Sequence, residues 1–89
     1  MKAVVTVVGK DRVGIIAGVC TALAAYNVNV LDISQTVMQG YFTMMMVTEV
    51  SNCTVPMAEL CKAMDAKGME MGLSIRVQRE DIFEAMHRV

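Results

Sequence analysis

Residues 28–50, VNVLDISQTVMQGYFTMMMVTEV, contain two strand-like runs that are separated only by Gln39 and Gly40. A two-residue connection that contains glycine is typical of a β-hairpin, so residues 28–38 and 41–50 are predicted to be antiparallel neighbours. The hairpin sets the topology of the whole chain, because a strand and a helix are predicted before it and a helix and a strand after it.

The second strand of this hairpin is apolar on both faces. Phe42, Met44 and Met46 form one row, while Met45 and Val47 join the other. A strand of this kind is normally covered on both faces. The chain has 89 residues, 55% of them hydrophobic, and a domain of this size buries only roughly 60–65% of its unfolded surface. Part of the apolar surface is therefore predicted to be buried against a second copy.

The segments on either side of the hairpin supply the remaining elements. Residues 1–8, MKAVVTVV, form a β-branched run that Gly9 ends, and Asp11 is the expected N-cap of a helix from about Arg12 to Asn27. Pro56 fits the first turn of a second helix that extends to about residue 71. Apolar and polar residues then alternate in LSIRVQ (73–78), and EDIFEAMHRV (80–89) has the apolar stripe of a short amphipathic helix.

The predicted order is β-α-β-β-α-β with a C-terminal helix, which is the α+β, ferredoxin-like sandwich of four antiparallel strands with two helices on one face. One domain is predicted over residues 1–89, with a core at 1–79 and the helix at 80–89. Because the second sheet face has no predicted cover, a homodimer is expected. Its subunits pack either edge to edge or face to face, and the apolar hairpin strands favour the second arrangement.

Composition excludes several classes of partner. The net charge is −1 and the basic residues are scattered singly, which predicts no direct contact with nucleic acid and none with an anionic membrane. The apolar run at 13–26 is shorter than the ~20 residues that a membrane span needs. The three cysteines have neither disulfide nor metal spacing. We expect a cytoplasmic protein without metal or cofactor.

Catalysis has little support in the sequence. The single histidine, His87, lies on the predicted terminal helix, and no nucleophile and base can be paired without it. Glu80 and Asp81 are explained by their place at the start of that helix. Acyl-phosphate hydrolysis, known in other ferredoxin-like proteins, would use an anion-binding arginine such as Arg12, but the rest of its loop does not fit. The chain is therefore predicted not to be an enzyme.

The segment between the first strand and the first helix has glycines at 9, 14 and 18, a spacing that matches neither the dinucleotide fingerprint nor a P-loop. The start of a helix nevertheless presents free backbone N–H groups to a small anion. Gly14 would let such a ligand approach the backbone. Alternatively, Gly14 and Gly18 allow the helix to pack close to the sheet, and the sequence leaves both interpretations open.

Residues 9–34, GKDRVGIIAGVCTALAAYNVNVLDIS, resemble the signature of the ACT domain family: a strand, an Asp-Arg-x-Gly loop, a helix, and Asn-Val-Asn-Val opening the second strand. Val13 departs from the pattern, since many members have proline there. The whole chain is similar to the small stand-alone ACT proteins of the UPF0237 type, through DISQTVMQGYFTMMM (32–46) and SIRVQREDIFEAMHR (74–88).

The resemblance implies an effector site between the first loop and the second strand, commonly at a dimer interface. The residues at the matching positions are Asp11, Arg12, Val13, Gly14, Ile15, Asn29, Val30, Leu31 and Asp32. Backbone N–H groups near Gly14 would bind an α-carboxylate, and Asp32 or Asn29 would bind an α-ammonium. Val30 and Leu31 would limit the size of the side chain.

The sequence therefore predicts a non-enzymatic, homodimeric regulatory module that binds a small molecule, most simply an amino acid, and acts on a separate protein target. The alternative is a protein-interaction subunit that needs no ligand and assembles through its sheet face and C-terminal helix. The sequence names neither the effector nor the target.

Overall fold

A computed structural model describes residues 1–86 of the chain. Its elements are β1 (Lys2–Lys10), α1 (Ile15–Ala25), β2 (Asn29–Met38), β3 (Tyr41–Glu49), α2 (Met57–Met71), β4 (Ser74–Arg79) and α3 (Glu80–Met86). The predicted order of strands and helices and the ferredoxin-like fold are confirmed. The prediction for His87 lies outside the described residues.

The hairpin between β2 and β3 is confirmed, with Met38 opposite Tyr41. Both turn residues have positive φ, 52° at Gln39 and 81° at Gly40. This is the geometry of a type I′ turn, whose twist matches that of the strands it joins.

All strand pairs are antiparallel, and the strand order is β2-β3-β1-β4. One face of the sheet packs against α1 and α2 around a single core. The core residues with the least exposure are Ala3, Val5, Val7, Val19, Leu23, Met44, Met46, Leu60 and Met64. The order leaves β2 and β4 at the two edges of the sheet.

The start of α1 differs from the prediction. The helix begins at Ile15, three residues later than expected, and its N-cap is Gly14 at φ 92°, with no side-chain hydrogen bond to the first turn. The prediction that Asp11 caps this helix is wrong. The reason is the left-handed conformation of Gly14, which separates residues 11–13 from the helix axis.

The second face of the sheet is partly covered, contrary to the prediction. The short helix α3 contacts β1 and β4. Val4 points to this face, yet only 5% of it is exposed and it lies outside the main core. Met45, further along the same face, remains 38% exposed. Only the part of the sheet next to α3 is therefore closed within one chain.

The edge strand β2 is the least protected element. Its residues alternate between the two faces, but nine of its ten residues are exposed, and the tenth, Val30, is half-buried. Ile33 and Val37, opposite the buried Met46 and Phe42, lie on the helix side of the sheet and are 42% and 54% exposed. The helices thus cover the middle of the sheet and leave this edge open.

Within residues 1–86, no helix combines the length and the hydropathy that crossing a membrane would require.

Candidate functional site

Loop 1, residues 11–14, lies between β1 and α1 and carries four of the nine predicted site residues. Its last residue, Gly14, is exposed, and a Cβ atom added there would meet nothing within 4 Å. Gly14 is therefore needed for its backbone conformation and not for close packing. The space in front of the start of α1 is open to a ligand.

Gly18 has the opposite role. A Cβ atom at this position would lie 2.6 Å from Met71 Cε. The two interpretations of the glycines thus apply to different residues, because Gly18 serves packing between the helices while Gly14 opens the helix start.

The side chains of loop 1 and its flanks point in several directions. Val13 is fully exposed, whereas Ile15 is buried in the core, so only its backbone can face a ligand. The Asp11 N–H donates to the Gly40 carbonyl at 2.8 Å, which ties loop 1 to the β2–β3 turn. The Arg12 guanidinium donates to the Met71 carbonyl at the end of α2.

The second group of predicted site residues, 29–32, opens β2. A β-bulge interrupts the pairing here, because Val30 lies opposite Thr48 and Asp32 opposite Val47, with Leu31 as the extra residue. Leu31 is about half exposed. Asp32 Oδ1 accepts a hydrogen bond from the Ile33 N–H at 2.9 Å, so one of its carboxylate oxygens already has a partner.

One chain does not bring these two groups together. Asn29 lies beside Glu49, which pairs with Lys2 at the start of β1, whereas loop 1 follows the end of β1. The two groups therefore lie at opposite ends of the sheet. The nine residues of β1 separate them, a distance of about 25 Å at ~3.3 Å per residue. A ligand of amino-acid size cannot touch both groups in one chain.

The contacts that hold loop 1 were not predictable from the sequence. Gly40 and Met71 accept hydrogen bonds from it through backbone carbonyl oxygens. Any residue type supplies a carbonyl, so no side-chain pattern marks these two positions. The Gln39-Gly40 pattern predicted the hairpin, but it did not predict that loop 1 contacts this turn.

Among residues 1–86, two groups have clearly shifted pKa values, Glu49 and Cys61, and both lie away from loop 1. The Met1 ammonium, and to a smaller extent Ser51, lower the pKa of Glu49 by hydrogen bonding, although burial acts in the opposite direction. Burial and the nearby Asp65 raise the pKa of the Cys61 thiol. Residues 1–86 contain no group of three or more histidine, cysteine or acidic side chains placed to hold a metal ion.

The sequence profile of the ACT domain family matches residues 2–78. The chain belongs to the ACT domain family.

Individual relatives agree with this assignment over the full length. A UPF0237 protein of Listeria innocua is 51% identical over 89 residues, and one of Clostridium acetobutylicum is 53% identical over 89 residues, in both cases with all of each chain covered. An ACT domain protein from Streptococcus pneumoniae has a solved structure that matches with a TM-score of 0.83 at 45% identity, covering 98% of each chain. The resemblance to UPF0237-type ACT proteins is confirmed, and the ACT fold is a regulatory one.

Proposed function

We propose that this ACT chain is a homodimeric regulatory module that binds an amino acid at loop 1 and acts on a separate protein. The observation that carries the proposal is the start of α1, where Gly14 replaces a side-chain cap and leaves open space. ACT domains bind small-molecule effectors such as amino acids and often dimerise. Loop 1 supplies the chemistry for one end of such an effector.

The effector's α-carboxylate is assigned to the first turn of α1. The first intrahelical bond runs from Gly18 N–H to the Gly14 carbonyl at 2.9 Å, so the N–H groups before Gly18 have no intrahelical acceptor. These N–H groups lie at the positive end of the helix dipole, which favours an anion. An α-carboxylate fits because it accepts two such donors side by side.

The second half of the site is assigned to a second copy of the chain. The exposed β2 edge pairs antiparallel with itself across a two-fold axis, since an isologous contact joins the same strand of both copies. Antiparallel pairing places the first residues of one β2 at the end of the sheet that carries the other chain's loop 1. Because residues 29–32 and loop 1 are about 25 Å apart within one chain, the complete site requires two chains.

Asn29 is the better candidate for the α-ammonium. Asn29 and Asp32 lie opposite Glu49 and Val47, so both are on the sheet face away from the helices, but the Asp32 Oδ1 already accepts the Ile33 N–H. Asn29 is exposed at the first position of the strand, so its amide oxygen is free to turn toward the end of the sheet. Val30, half-buried on the helix side, would limit the effector's side chain.

The test compares Gly14→Val with Gly40→Val in equilibrium dialysis against each proteinogenic amino acid. Both glycines have positive φ and open space around an added Cβ, so both variants carry similar backbone strain. Gly14→Val is expected to weaken binding at least about tenfold, because its side chain covers the first-turn N–H groups. Gly40→Val is expected to bind like the wild type. The proposal is wrong if no amino acid binds below millimolar concentration.

A ligand-independent interaction subunit is the second candidate. It is favoured by exposed apolar side chains on the open sheet face, Val8, Met38, Tyr41 and Met45, and by the exposed Ile82 on α3. This function predicts that a partner is captured to the same extent with and without amino acids, and that Gly14→Val has no effect on the capture. The two functions therefore differ in their response to the same variant.

A further inference from the structure

Three chain connections lie at the end of the sheet that carries loop 1. The other two are the β2–β3 turn and the turn between α2 and β4. Each contains a glycine with positive φ, 92° at Gly14, 81° at Gly40 and 70° at Gly72. Loop 1 contacts both of the others, the first through the Asp11 N–H and the second through the Arg12 side chain. It is therefore the link between the hairpin and the end of α2.

The Arg12 contact combines a hydrogen bond with a charge effect. Met71 is the last residue of α2, and its carbonyl is one of the four that a helix cannot satisfy internally. The guanidinium brings a full positive charge to the negative end of the helix dipole. The N–H groups of Gly72 and Leu73 donate to the Met69 and Gly68 carbonyls and close the same helix end. Arg12 supplies the donor for the carbonyl of the last residue of the helix, Met71.

Met71 is held by its side chain as well. Its Cε atom lies against Gly18 of α1, at a place where an added Cβ would come within 2.6 Å. The residue that accepts the Arg12 hydrogen bond thus also packs on the helix that loop 1 begins. Two independent contacts join the start of α1 to the end of α2.

We propose that Arg12 is a positioning residue, which fixes loop 1 to the C-terminus of α2 and does not contact the effector. The contact couples loop 1 to the exposed turn at Gly72. This turn is therefore the first segment outside the site whose local stability changes when an effector binds. This inference rests on the proposed function for its regulatory meaning. The positioning role itself is a property of the ligand-free protein.

The experiment measures backbone amide exchange in the ligand-free protein for the wild type, Arg12→Ala, Arg12→Lys and Lys10→Ala. Arg12→Ala is expected to speed exchange at Gly72 and Leu73 by about three- to tenfold, because a charge-assisted hydrogen bond to their turn is lost. Arg12→Lys restores part of the protection, since an ammonium also donates to a carbonyl. Lys10 is the matched control, as an exposed cation beside the same loop. Core amides at Val5 and Val7 report any global loss of stability.

Unchanged exchange at Gly72 and Leu73 in Arg12→Ala would overturn the inference, and a loss of amino-acid binding alongside it would assign Arg12 to the effector instead. Where an amino acid binds, its addition is expected to slow exchange at Leu73 in the wild type but not in Arg12→Ala. An equal effect in both proteins would also contradict the inference. Failure of every amino acid to bind refutes the proposed function only, because the ligand-free comparison still tests the contact.

Discussion

Gly18 and Gly68 both lie inside helices and both face a neighbouring element at close range, but the neighbours differ in kind. At Gly68 an added Cβ would lie 2.7 Å from the Leu73 carbonyl oxygen, which belongs to the backbone. At Gly18 it would meet the end of the Met71 side chain, which can move. The same substitution is therefore expected to have different effects at the two positions.

Gly68→Ala is expected to lower the free energy of unfolding by about 1–3 kcal/mol, because α2 must move away from β4. Gly18→Ala is expected to be close to neutral, since up to ~1 kcal/mol of improved helix propensity offsets the displacement of Met71. Urea denaturation of the two variants beside the wild type measures both values. Equal destabilisation at both positions would contradict the distinction between backbone and side-chain neighbours.

The end of β3 is joined to the start of β1 by an ion pair. The Met1 ammonium lies 3.3 Å from Glu49 Oε2, and the Ser51 hydroxyl donates to Glu49 Oε1 at 3.1 Å. These partners hold the pKa of Glu49 below its ordinary value of 4.5. A carboxyl whose pKa is lowered by folding stabilises the protein above its unfolded pKa, and this contribution is lost as the pH falls through the folded value.

Glu49→Gln is therefore expected to melt below the wild type at neutral pH, with a difference that shrinks as the pH falls below 4.5. The measurement is thermal denaturation over that pH range, on protein with a free Met1 amine. Glu84→Gln, at an exposed position of α3, is the control and is expected to show no such convergence. A difference that stays constant into acid would mean that the ion pair does not stabilise the fold.

Local signals predicted most elements, while features that depend on distant segments were not predictable. The hairpin follows from a two-residue turn between alternating strands, so residues 28–50 contain what is needed to predict it. The contact of Arg12 with Met71 joins residues 59 positions apart, and no spacing rule covers it. The bulge at Leu31 and the late start of α1 likewise depend on how the backbone packs. The separation of the two site segments becomes visible only with the strand order.

At the scale of the whole molecule, the described part of the chain leaves two surfaces available for a second copy. One is the edge of β2, with Ile33 and Val37 on its helix side. It is ten residues long and carries a single charge, Asp32, whereas edge strands that avoid pairing are usually short or charged. The other is the open sheet face around Met45, which α3 narrows from one side. The edge fits the proposed site better, because only antiparallel β2 pairing brings the two site segments to one level.

Ile33→Asp and Met45→Asp separate these two arrangements, since the residues are similarly exposed, at 42% and 38%, but lie on different surfaces. The wild type is expected to be a dimer at micromolar concentration in light scattering. Ile33→Asp is expected to raise the dissociation constant at least about tenfold, because a carboxylate would be buried without a partner in the edge-to-edge contact. Met45→Asp is expected to leave the dimer intact. The reverse pattern would establish a face-to-face dimer, and a monomeric wild type would exclude a site shared between two chains.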